Sequence, residues 1–372
     1  MPPPVTASLD AYEVRLGISE SRHDGMIVLT PVGKSPVRRV LYVNSYGGTV
    51  IWNRITSGNL PAHHLWGCIE LVRLGYEVAL AEPLNDFYYR RNPLPHDLRF
   101  LKTARSWLGK DGIVYCAHNV LHWLPLLRSV GFLRCKIVSL LFGREPLDFA
   151  KSHSGIIALN GAAAEHARQL APRVPAAQLA WGVTREVFPS IPYQPETLLA
   201  CGQTRRDHTT LARASAITRQ PIRVIATKLP PGLAWGPNVS FVTGGQGDDN
   251  VSYDELFRNH YARCTGSLII LRNDPEQETG VGFTNLLEAM AMGRPVIVTK
   301  TGALPTEIDV EKAGIGLFVP PEDPAALALA IDSLANDLPR AEAMGMGGRK
   351  LIDDYYNMER YAQALSVFFD RL

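Results

Sequence analysis

Residues 282–302, GFTNLLEAMAMGRPVIVTKTG, predict one helix followed by one buried strand. Apolar residues recur at helical spacing up to Met292, Gly293 is typical of a helix end, and PVIVT is typical of a strand inside a sheet. Glu288 stands in the most apolar part of the helix. Either it lies on a solvated face, since glutamate is a common helix former, or its carboxylate holds a ligand.

The composition indicates a two-domain globular protein. A chain of 372 residues suits two domains of about 150 residues or more each. With 46% hydrophobic residues, 20% charged residues and a net charge of +2, it has no excess of positive charge of the kind that binds nucleic acid. Five scattered cysteines without a CxxC pair argue against a disulfide framework or a structural zinc, so we expect a reducing, cytoplasmic location.

Two further patterns bear on location. The first residues lack the apolar core of a signal peptide, and no apolar run approaches the roughly 18 residues that a membrane span needs. Residues 95–110 combine apolar Leu98, Leu101, Ala104, Trp107 and Leu108 with basic residues. This amphipathic segment either covers the sheet with its apolar face or lies on anionic lipid at the inner face of the membrane. Any membrane contact is therefore expected to be peripheral.

Strands and helices alternate along the first half, which predicts an α/β domain with a parallel sheet. A β-hairpin is indicated around GMIVLTPVGK, and helical patterns separate the later strands. The strand-like segments are VRRVLYVN (37–44), YEVALAE (76–82), GIVYCAH (112–118) and KIVSLLFG (136–143). We assign residues 1–185 to this domain.

The alternation restarts after a proline-rich segment without periodicity, which we assign as a linker over 186–197. LLACGQ, IRVIAT and SLIIL are typical of buried strands, and a second α/β domain is predicted over 198–354. Residues 355–372 show helical spacing of the apolar Tyr361, Leu365 and Phe368. This last segment is predicted to be a separate helix.

Open α/β sheets bind ligands beyond the carboxyl ends of their strands, so residues that follow strands are the candidates for a site. They include glycines, basic residues and two acidic residues. The candidates are Gly47, Gly48, His118, Gly143, Arg144, Arg205, Arg206, Lys228, Gly282, Glu288, Gly302 and Glu307. No GxGxxG follows the first strand, which argues against a dinucleotide oxidoreductase.

The second half resembles the retaining glycosyl transferases group 1. The resemblance is carried by LLEAMAMGRPVIVTKTGALPTEI (286–308) and GIGLFVPPEDPAALALAI (314–331), and extends to WGVTREVFP (181–189) and ACGQTRRDHTTLARA (200–214). It implies the GT-B fold, in which two Rossmann-like domains face each other across a cleft and a C-terminal helix crosses back to the N-terminal domain. The N-terminal domain would then hold the acceptor and the C-terminal domain the nucleotide sugar.

The resemblance gives Glu288 a role, which is to accept hydrogen bonds from the ribose hydroxyls of the nucleotide. In the family a second glutamate stands eight positions earlier, beside the donor sugar, and this chain has Gly280 there. Glu278 is the nearest upstream carboxylate and is the candidate replacement. Alternatively, the backbone amides around Gly282, Phe283 and Thr284 hold the donor.

The diphosphate requires positive charge, because the leaving group gains negative charge in the transition state. By the family's spacing Arg206 takes the place of a phosphate-binding lysine, and Arg205 would compensate for Gln203, which stands where an arginine is common. The resemblance also places Gly302 near the phosphates. Gly47 and Gly48 would let backbone of the first domain approach the diphosphate, and Lys228 would reach the base or the phosphates.

On the acceptor side, many relatives carry a histidine beside the reacting sugar, where this chain has Phe142. His118 is the nearest candidate for a polar catalytic group, although a single histidine is often structural. The predicted catalytic residues are therefore Arg206, Glu278 and His118.

The resemblance implies a hexosyltransferase of carbohydrate biosynthesis. Such an enzyme moves a sugar with retention from a UDP-sugar or GDP-sugar to a sugar, a lipid-linked acceptor or a small molecule, without a metal or cofactor. The chain has no Asp-x-Asp motif of the metal-diphosphate type. Two alternatives stay open, which are a catalytically weak nucleotide-sugar-binding partner subunit and a sugar-nucleotide epimerase on the same fold.

Overall fold

The chain forms two compact units. The structure, a computed structural model, describes residues 17–82, 93–117, 120–244, 251–273, 280–301 and 307–372. Unit 1 comprises Met1–Trp181 with Met358–Leu372, and unit 2 comprises Gly182–Asn357. The end of the first domain and the start of the last helix lie within four residues of the expected boundaries, whereas the segment 186–197, expected to be a linker, belongs to unit 2.

Unit 1 is built on an eight-stranded sheet with the order β1-β2-β4-β3-β5-β6-β7-β8. The strands are β1 (Ile18–His23), β2 (Met26–Pro31), β3 (Arg38–Val43), β4 (Tyr76–Leu80), β5 (Ile113–Ala117), β6 (Lys136–Leu141), β7 (Gly155–Ala158) and β8 (Ala176–Gln178). Strands β1 and β2 form the predicted antiparallel hairpin at one edge, and β2 also pairs antiparallel with β4. The pairs from β4 to β8 are parallel, as the alternating pattern predicted.

Six α-helices belong to the described part of unit 1. They are α1 (Gly48–Thr56), α2 (Cys68–Arg73), α3 (Pro93–Thr103), α4 (Leu124–Ser129), α5 (Gly161–Leu170) and α11 (Met358–Asp370). Short 3-10 helices cover Ala62–Leu65 and Ala150–Ser152, and a π-helical turn over Ala104–Leu108 continues α3. The apolar side chains of the parallel strands β3 to β7 are buried, which is expected for a sheet covered on both faces, whereas the edge strand β8 is largely exposed.

The amphipathic segment that begins with α3 covers the sheet with only part of its apolar face. Ala104, Trp107 and Leu108 are buried in the core, but Leu98 is 47% exposed and Leu101 is only partly buried. The spacing of the five apolar residues in 95–110 predicts that they share one face. The π-helical turn changes the residue spacing after Thr103, so the two halves of the segment bury different faces.

The C-terminal helix α11 packs within unit 1, where Tyr361, Leu365 and Phe368 are buried. The Tyr361 hydroxyl lies 2.8 Å from the Tyr115 hydroxyl of β5, and Arg38 Nη1 donates to the carbonyl of Phe369 at 2.8 Å. These contacts hold the last helix of the chain against the central strands β3 and β5, which lie far earlier in the sequence.

Unit 2 has a six-stranded, fully parallel sheet with the order β11-β10-β9-β12-β13-β14. Its strands are β9 (Thr197–Ala200), β10 (Ile222–Ala226), β11 (Val239–Thr243), β12 (Cys264–Ile269), β13 (Val296–Thr299) and β14 (Gly316–Val319). Its helices are α6 (His208–Ile217), α7 (Tyr253–Glu255), α8 (Phe283–Ala291), α9 (Pro324–Ala335) and α10 (Leu338–Asp354). A 3-10 helix covers Arg185–Val187, and a π-helical turn over Leu256–Tyr261 follows α7.

The five cysteines are free and buried. Among the described residues, no helix is both long enough and apolar enough to cross a membrane.

Candidate nucleotide-sugar site

The centre of the unit 2 sheet brings together two segments that are far apart in sequence. Strands β9 and β12 are neighbours, so the turn after β9 meets the residues after β12. The amide of Asp207 donates to the carbonyl of Ile270 at 2.9 Å, and the amide of Arg272 donates to the carbonyl of Arg205 at 3.0 Å. The turn that carries both predicted arginines is thus held against the edge where α8 begins.

Arg206 is 7% exposed, and its guanidinium is held on three sides. Nε donates to the carbonyl of Cys201 at 3.2 Å, Nη1 donates to the carbonyl of Thr204 at 2.9 Å, and Nη2 donates to Oδ1 of Asn285 on α8. Burial lowers the pKa of Arg206, and the Glu288 carboxylate acts in the opposite direction. An arginine stays charged in either case. Its hydrogen-bond partners within the described residues are neutral oxygens, so these hydrogen bonds of the guanidinium do not neutralise its charge.

Glu288 lies on the same face of α8 as Asn285, because residues three apart on a helix are neighbours. Its side chain is fully buried. Burial raises the pKa of Tyr261 and raises that of Cys201 to about 11, and the charge of Glu288 adds to both shifts. The predicted pair Arg206 and Glu288 is therefore brought together in one buried polar cluster that also includes Asn285.

Gly202 permits this arrangement. Its φ of +97° is a conformation that favours glycine, and a Cβ there would lie 2.3 Å from Arg206 Nη2 and 2.6 Å from Asn285 Oδ1. Any side chain at this position would displace the guanidinium.

The sequence patterns did not indicate Asn285 or Gly202 as residues of the site. Asn285 could have been found from its position, because it is a polar residue near the start of the apolar helix α8 and stands three residues before Glu288. No local sequence pattern indicates that position 202 must be glycine. Glycine is needed there because a Cβ would clash with the side chains of Arg206, four residues later, and of Asn285 on the distant helix α8.

The remaining predicted residues of unit 2 lie around this cluster. Arg205 is half-buried with a φ of +55°, and Gly282 is the left-handed residue before α8. Phe283 is buried and Thr284 is half-buried in the first turn of α8. Lys228 is exposed, two residues after β10. Glu278, Gly302 and His118 lie outside the described residues, so their predicted roles stay predictions.

In unit 1, both glycines of the turn after β3 have a structural reason. Gly47 has a φ of +71°, and a Cβ there would lie 2.5 Å from Glu82 Oε2. A Cβ on Gly48 would lie 2.9 Å from Leu80 Cβ. The Glu82 carboxylate accepts from the amide of Thr49 at the start of α1. A phosphate at this turn would have to compete with Glu82 for that amide, and the predicted role of the two glycines stays a prediction.

Comparison with known proteins supports the resemblance seen in the sequence. Residues 237–337 match the family model described as Glycosyl transferases group 1. A 98-residue segment is 30% identical to the lipopolysaccharide core biosynthesis mannosyltransferase LpsB of Rhizobium meliloti. That segment is 26% of this chain and only 28% of the length of the relative.

The fold extends the likeness to most of the chain. Sucrose-phosphate synthase from Thermosynechococcus elongatus superposes with a TM-score of 0.66 at 15% identity, over 90% of this chain and 98% of the other. A glycosyltransferase from Rickettsia africae superposes with a TM-score of 0.62 at 13% identity, over 91% of this chain and 99% of the other. Anabaena Alr3699/HepE in complex with UDP and glucose superposes with a TM-score of 0.60 at 14% identity, over 90% of this chain and 100% of the other. The predicted GT-B fold and the resemblance to group 1 glycosyltransferases are confirmed.

Proposed function

We propose that this chain is a hexosyltransferase that moves a sugar from a nucleotide-diphosphate sugar to an acceptor hydroxyl. The observation that carries the proposal is the buried Arg206 guanidinium, fixed by neutral partners at the carboxyl ends of β9 and β12 beside the carboxylate of Glu288. A fixed cation next to a buried carboxylate suits a ligand with both phosphates and hydroxyls. The family match over 237–337 covers part of unit 2 and includes α8 with Glu288, but not Arg206.

Each side chain has a role in the proposed reaction. Arg206 opposes the negative charge that develops on the leaving diphosphate, and the first amides of α8 supply further positive potential. Glu288 accepts hydrogen bonds from the ribose hydroxyls. Because the guanidinium is positioned before the donor binds, little reorganisation is needed when the sugar–phosphate bond breaks.

We extend the proposal to the finer points of the reaction. The donor is a UDP-sugar or a GDP-sugar, and a structural neighbour of this chain is recorded with UDP and with UDP-glucose. The acceptor is a sugar, a lipid-linked acceptor or a small molecule. Arg206, assisted by Arg205, supplies the charge that a divalent cation supplies in other transferases, so we propose metal-independent transfer with retention. Glu278 and His118 stay proposed as the carboxylate and the imidazole near the reacting sugar, and Gly302 as a phosphate contact.

The test is nucleotide binding followed by turnover. Thermal denaturation with UDP, GDP and their sugar conjugates should show stabilisation of the wild type by one nucleotide, about 2.7 kcal/mol at 100 times Kd. Arg206→Ala and Glu288→Ala should lose most of this effect. Arg213→Ala is the matched control, because Arg213 is an exposed arginine on the neighbouring helix α6. Stabilisation by no nucleotide, or by one nucleotide equally in all variants, would refute the assignment of the site.

Product analysis separates the alternatives. Transfer to an added acceptor supports the transferase. Release of the nucleotide from the donor alone, with conversion of the sugar, would instead indicate an epimerase. Binding without turnover would indicate a partner subunit.

We also propose a cytoplasmic protein with peripheral contact to the inner face of the membrane through α3. Leu94 and Leu98 are 46% and 47% exposed on this helix. Leu98 and Leu101 share a shallow depression with Lys102 and Arg105, so apolar and basic groups face solvent together. Leu98→Glu should reduce cosedimentation with vesicles that contain phosphatidylglycerol. Leu329→Glu, on α9 of unit 2, is the control, and equal cosedimentation of both variants would refute the contact.

A further inference from the structure

Two further buried side chains of unit 2 are linked to the Arg206 guanidinium through Asn285. Nδ2 of Asn285 donates to Sγ of Cys201 at 3.5 Å, and the Cys201 thiol lies 3.3 Å from the Tyr261 hydroxyl. Oδ1 of the same asparagine accepts from Nη2 of Arg206. All four side chains are buried. One buried chain of hydrogen bonds therefore leads from Tyr261 through Cys201 and Asn285 to Arg206.

The orientation of the Asn285 amide decides what Arg206 meets. An asparagine side chain has an oxygen that accepts and a nitrogen that donates, and a half-turn of the amide exchanges the two. With Nδ2 facing the Cys201 sulfur, Oδ1 faces the guanidinium, which has only donors. In the reversed orientation two N–H groups would face each other, and the guanidinium would lose this acceptor. The contact with Cys201 therefore favours the orientation that holds Arg206.

Cys201 gives this orientation without adding a charge. Burial raises the pKa of its thiol to about 11, so the group is neutral near pH 7. A thiolate at this point would attract the guanidinium and oppose the approach of an anion. The neutral sulfur accepts a hydrogen bond from the amide, which fixes the geometry of Arg206 and leaves its charge unopposed by the cysteine.

Tyr261 is itself held in place. It ends the π-helical turn over Leu256–Tyr261, and its ring is fully buried. Nε of Arg294 donates to the carbonyl of Tyr261 at 2.8 Å, and Nη2 donates to the carbonyl of Ala262 at 2.8 Å. Burial raises the pKa of Tyr261 well above its usual value, so the hydroxyl keeps its proton. The turn, of a kind that is frequent at functional sites, thus presents a fixed hydroxyl to the Cys201 thiol.

We propose that Cys201 and Tyr261 are positioning residues, which orient the Asn285 amide so that the Arg206 guanidinium is held where the leaving diphosphate gains charge. Both act through Asn285 and Arg206. The link to the diphosphate rests on the proposed function, whereas the orientation of the guanidinium is a property of the chain alone. Because the charge on the diphosphate is largest in the transition state, loss of this orientation should lower kcat more than it raises KM.

Three substitutions in the full chain remove or keep single contacts. Cys201→Ala removes the sulfur, Cys201→Ser keeps a group that both donates and accepts, and Tyr261→Phe removes only the hydroxyl. Tyr261→Phe keeps the buried ring and should therefore fold. Cys264→Ala is the matched control, since Cys264 is an equally buried cysteine of the same unit on β12.

The first readout needs no ligand. The NMR signal of the Arg206 Nε–H group, identified by its loss in Arg206→Lys, reports how firmly the guanidinium is held, because a buried and hydrogen-bonded N–H exchanges slowly with water. Cys201→Ala and Tyr261→Phe should each speed this exchange about fivefold, as expected for the loss of one hydrogen bond. Cys201→Ser and Cys264→Ala should leave the exchange close to that of the wild type.

The second readout is binding of UDP and GDP by titration calorimetry, with uridine and guanosine for comparison. Cys201→Ala and Tyr261→Phe should weaken binding of the diphosphate that the wild type prefers by about fivefold. Binding of the corresponding nucleoside should change less, because it does not involve Arg206. Cys201→Ser should restore most of the affinity, and turnover of the sugar donor should show the greater loss in kcat.

The outcomes separate this inference from the proposed function. The positioning role is refuted if Cys201→Ala and Tyr261→Phe leave the Nε–H exchange as Cys264→Ala does, or if Cys201→Ser loses as much as Cys201→Ala. If the exchange changes as expected but no nucleoside diphosphate binds the wild type, the proposed function fails and the positioning of Arg206 stands. If all variants bind the diphosphate and turn over as the wild type does, the inference fails and the proposed function stands.

Discussion

Replacing Gly202 by alanine should destroy the arrangement of the Arg206 guanidinium. At φ +97° an alanine is strained by about 1–2 kcal/mol. Its Cβ would also lie 2.3 Å from Arg206 Nη2, so the guanidinium must leave its hydrogen bond to Asn285. A hydrogen bond to a charged group is worth about 1.5–3 kcal/mol. We therefore expect Gly202→Ala to lower the free energy of unfolding by about 2.5–5 kcal/mol.

Gly232→Ala is the matched control for backbone strain. Gly232 lies in the same unit with a φ of +76°, and a Cβ there would meet no atom within 4 Å. It should lose only the strain energy, about 1–2 kcal/mol. Urea denaturation of the wild type, Gly202→Ala and Gly232→Ala would give the loss in free energy of unfolding for each variant. If the dependence of that free energy on urea concentration is the same in all three, the values can be compared directly.

The functional part of this prediction concerns phosphate affinity. Calorimetry should show that Gly202→Ala weakens binding of the nucleoside diphosphate by at least about tenfold, the equivalent of about 1.4 kcal/mol. Binding of the nucleoside alone should change much less, because it does not involve Arg206. In a double-mutant cycle with Arg206→Ala, the second substitution should add little further loss of affinity. If Gly202→Ala and Gly232→Ala bind the diphosphate equally well, the placement of Arg206 is not what holds the phosphates.

Two further predictions concern stability. Burial lowers the pKa of His153 from 6.5 to about 4, so the unfolded state binds more protons between these values and stability falls as pH drops through that window. The wild type should lose about 2 kcal/mol from this group between pH 7 and pH 5, and His153→Asn should lose correspondingly less in denaturation curves at the two pH values. In α10, a Cβ on Gly345 would lie 2.0 Å from the carbonyl oxygen of Gly293, whereas one on Gly347 would meet its nearest atom at 3.5 Å. Gly345→Ala should therefore destabilise the protein, and Gly347→Ala should stabilise it by up to about 1 kcal/mol through helix propensity. Equal melting temperatures for these two variants would contradict the packing of α10 on α8.

The elements that the sequence predicted well are those whose signal is local. The apolar run after Gly293 is strand β13, and the run before it is helix α8, as the spacing of residues 282–302 indicated. The segment 95–110 was predicted less well, because a π-helical turn after Thr103 changes which side chains face the core. Leu98 has the same apolar character as Leu108 but is left in solvent. Periodicity cannot reveal such a change of spacing.

The sequence by itself determined the two α/β units, the GT-B resemblance, and the selection of Arg206 and Glu288, because apolar periodicity and a local motif are encoded over short stretches. Only the tertiary structure decided that Asn285 holds Arg206 across 79 residues, that Gly202 must lack a side chain, and that the Tyr261 hydroxyl meets the Cys201 thiol. The physical reason is that parallel strands align their carboxyl ends whatever their distance in sequence. Side chains with no local relation thereby become neighbours at the edge where a ligand binds.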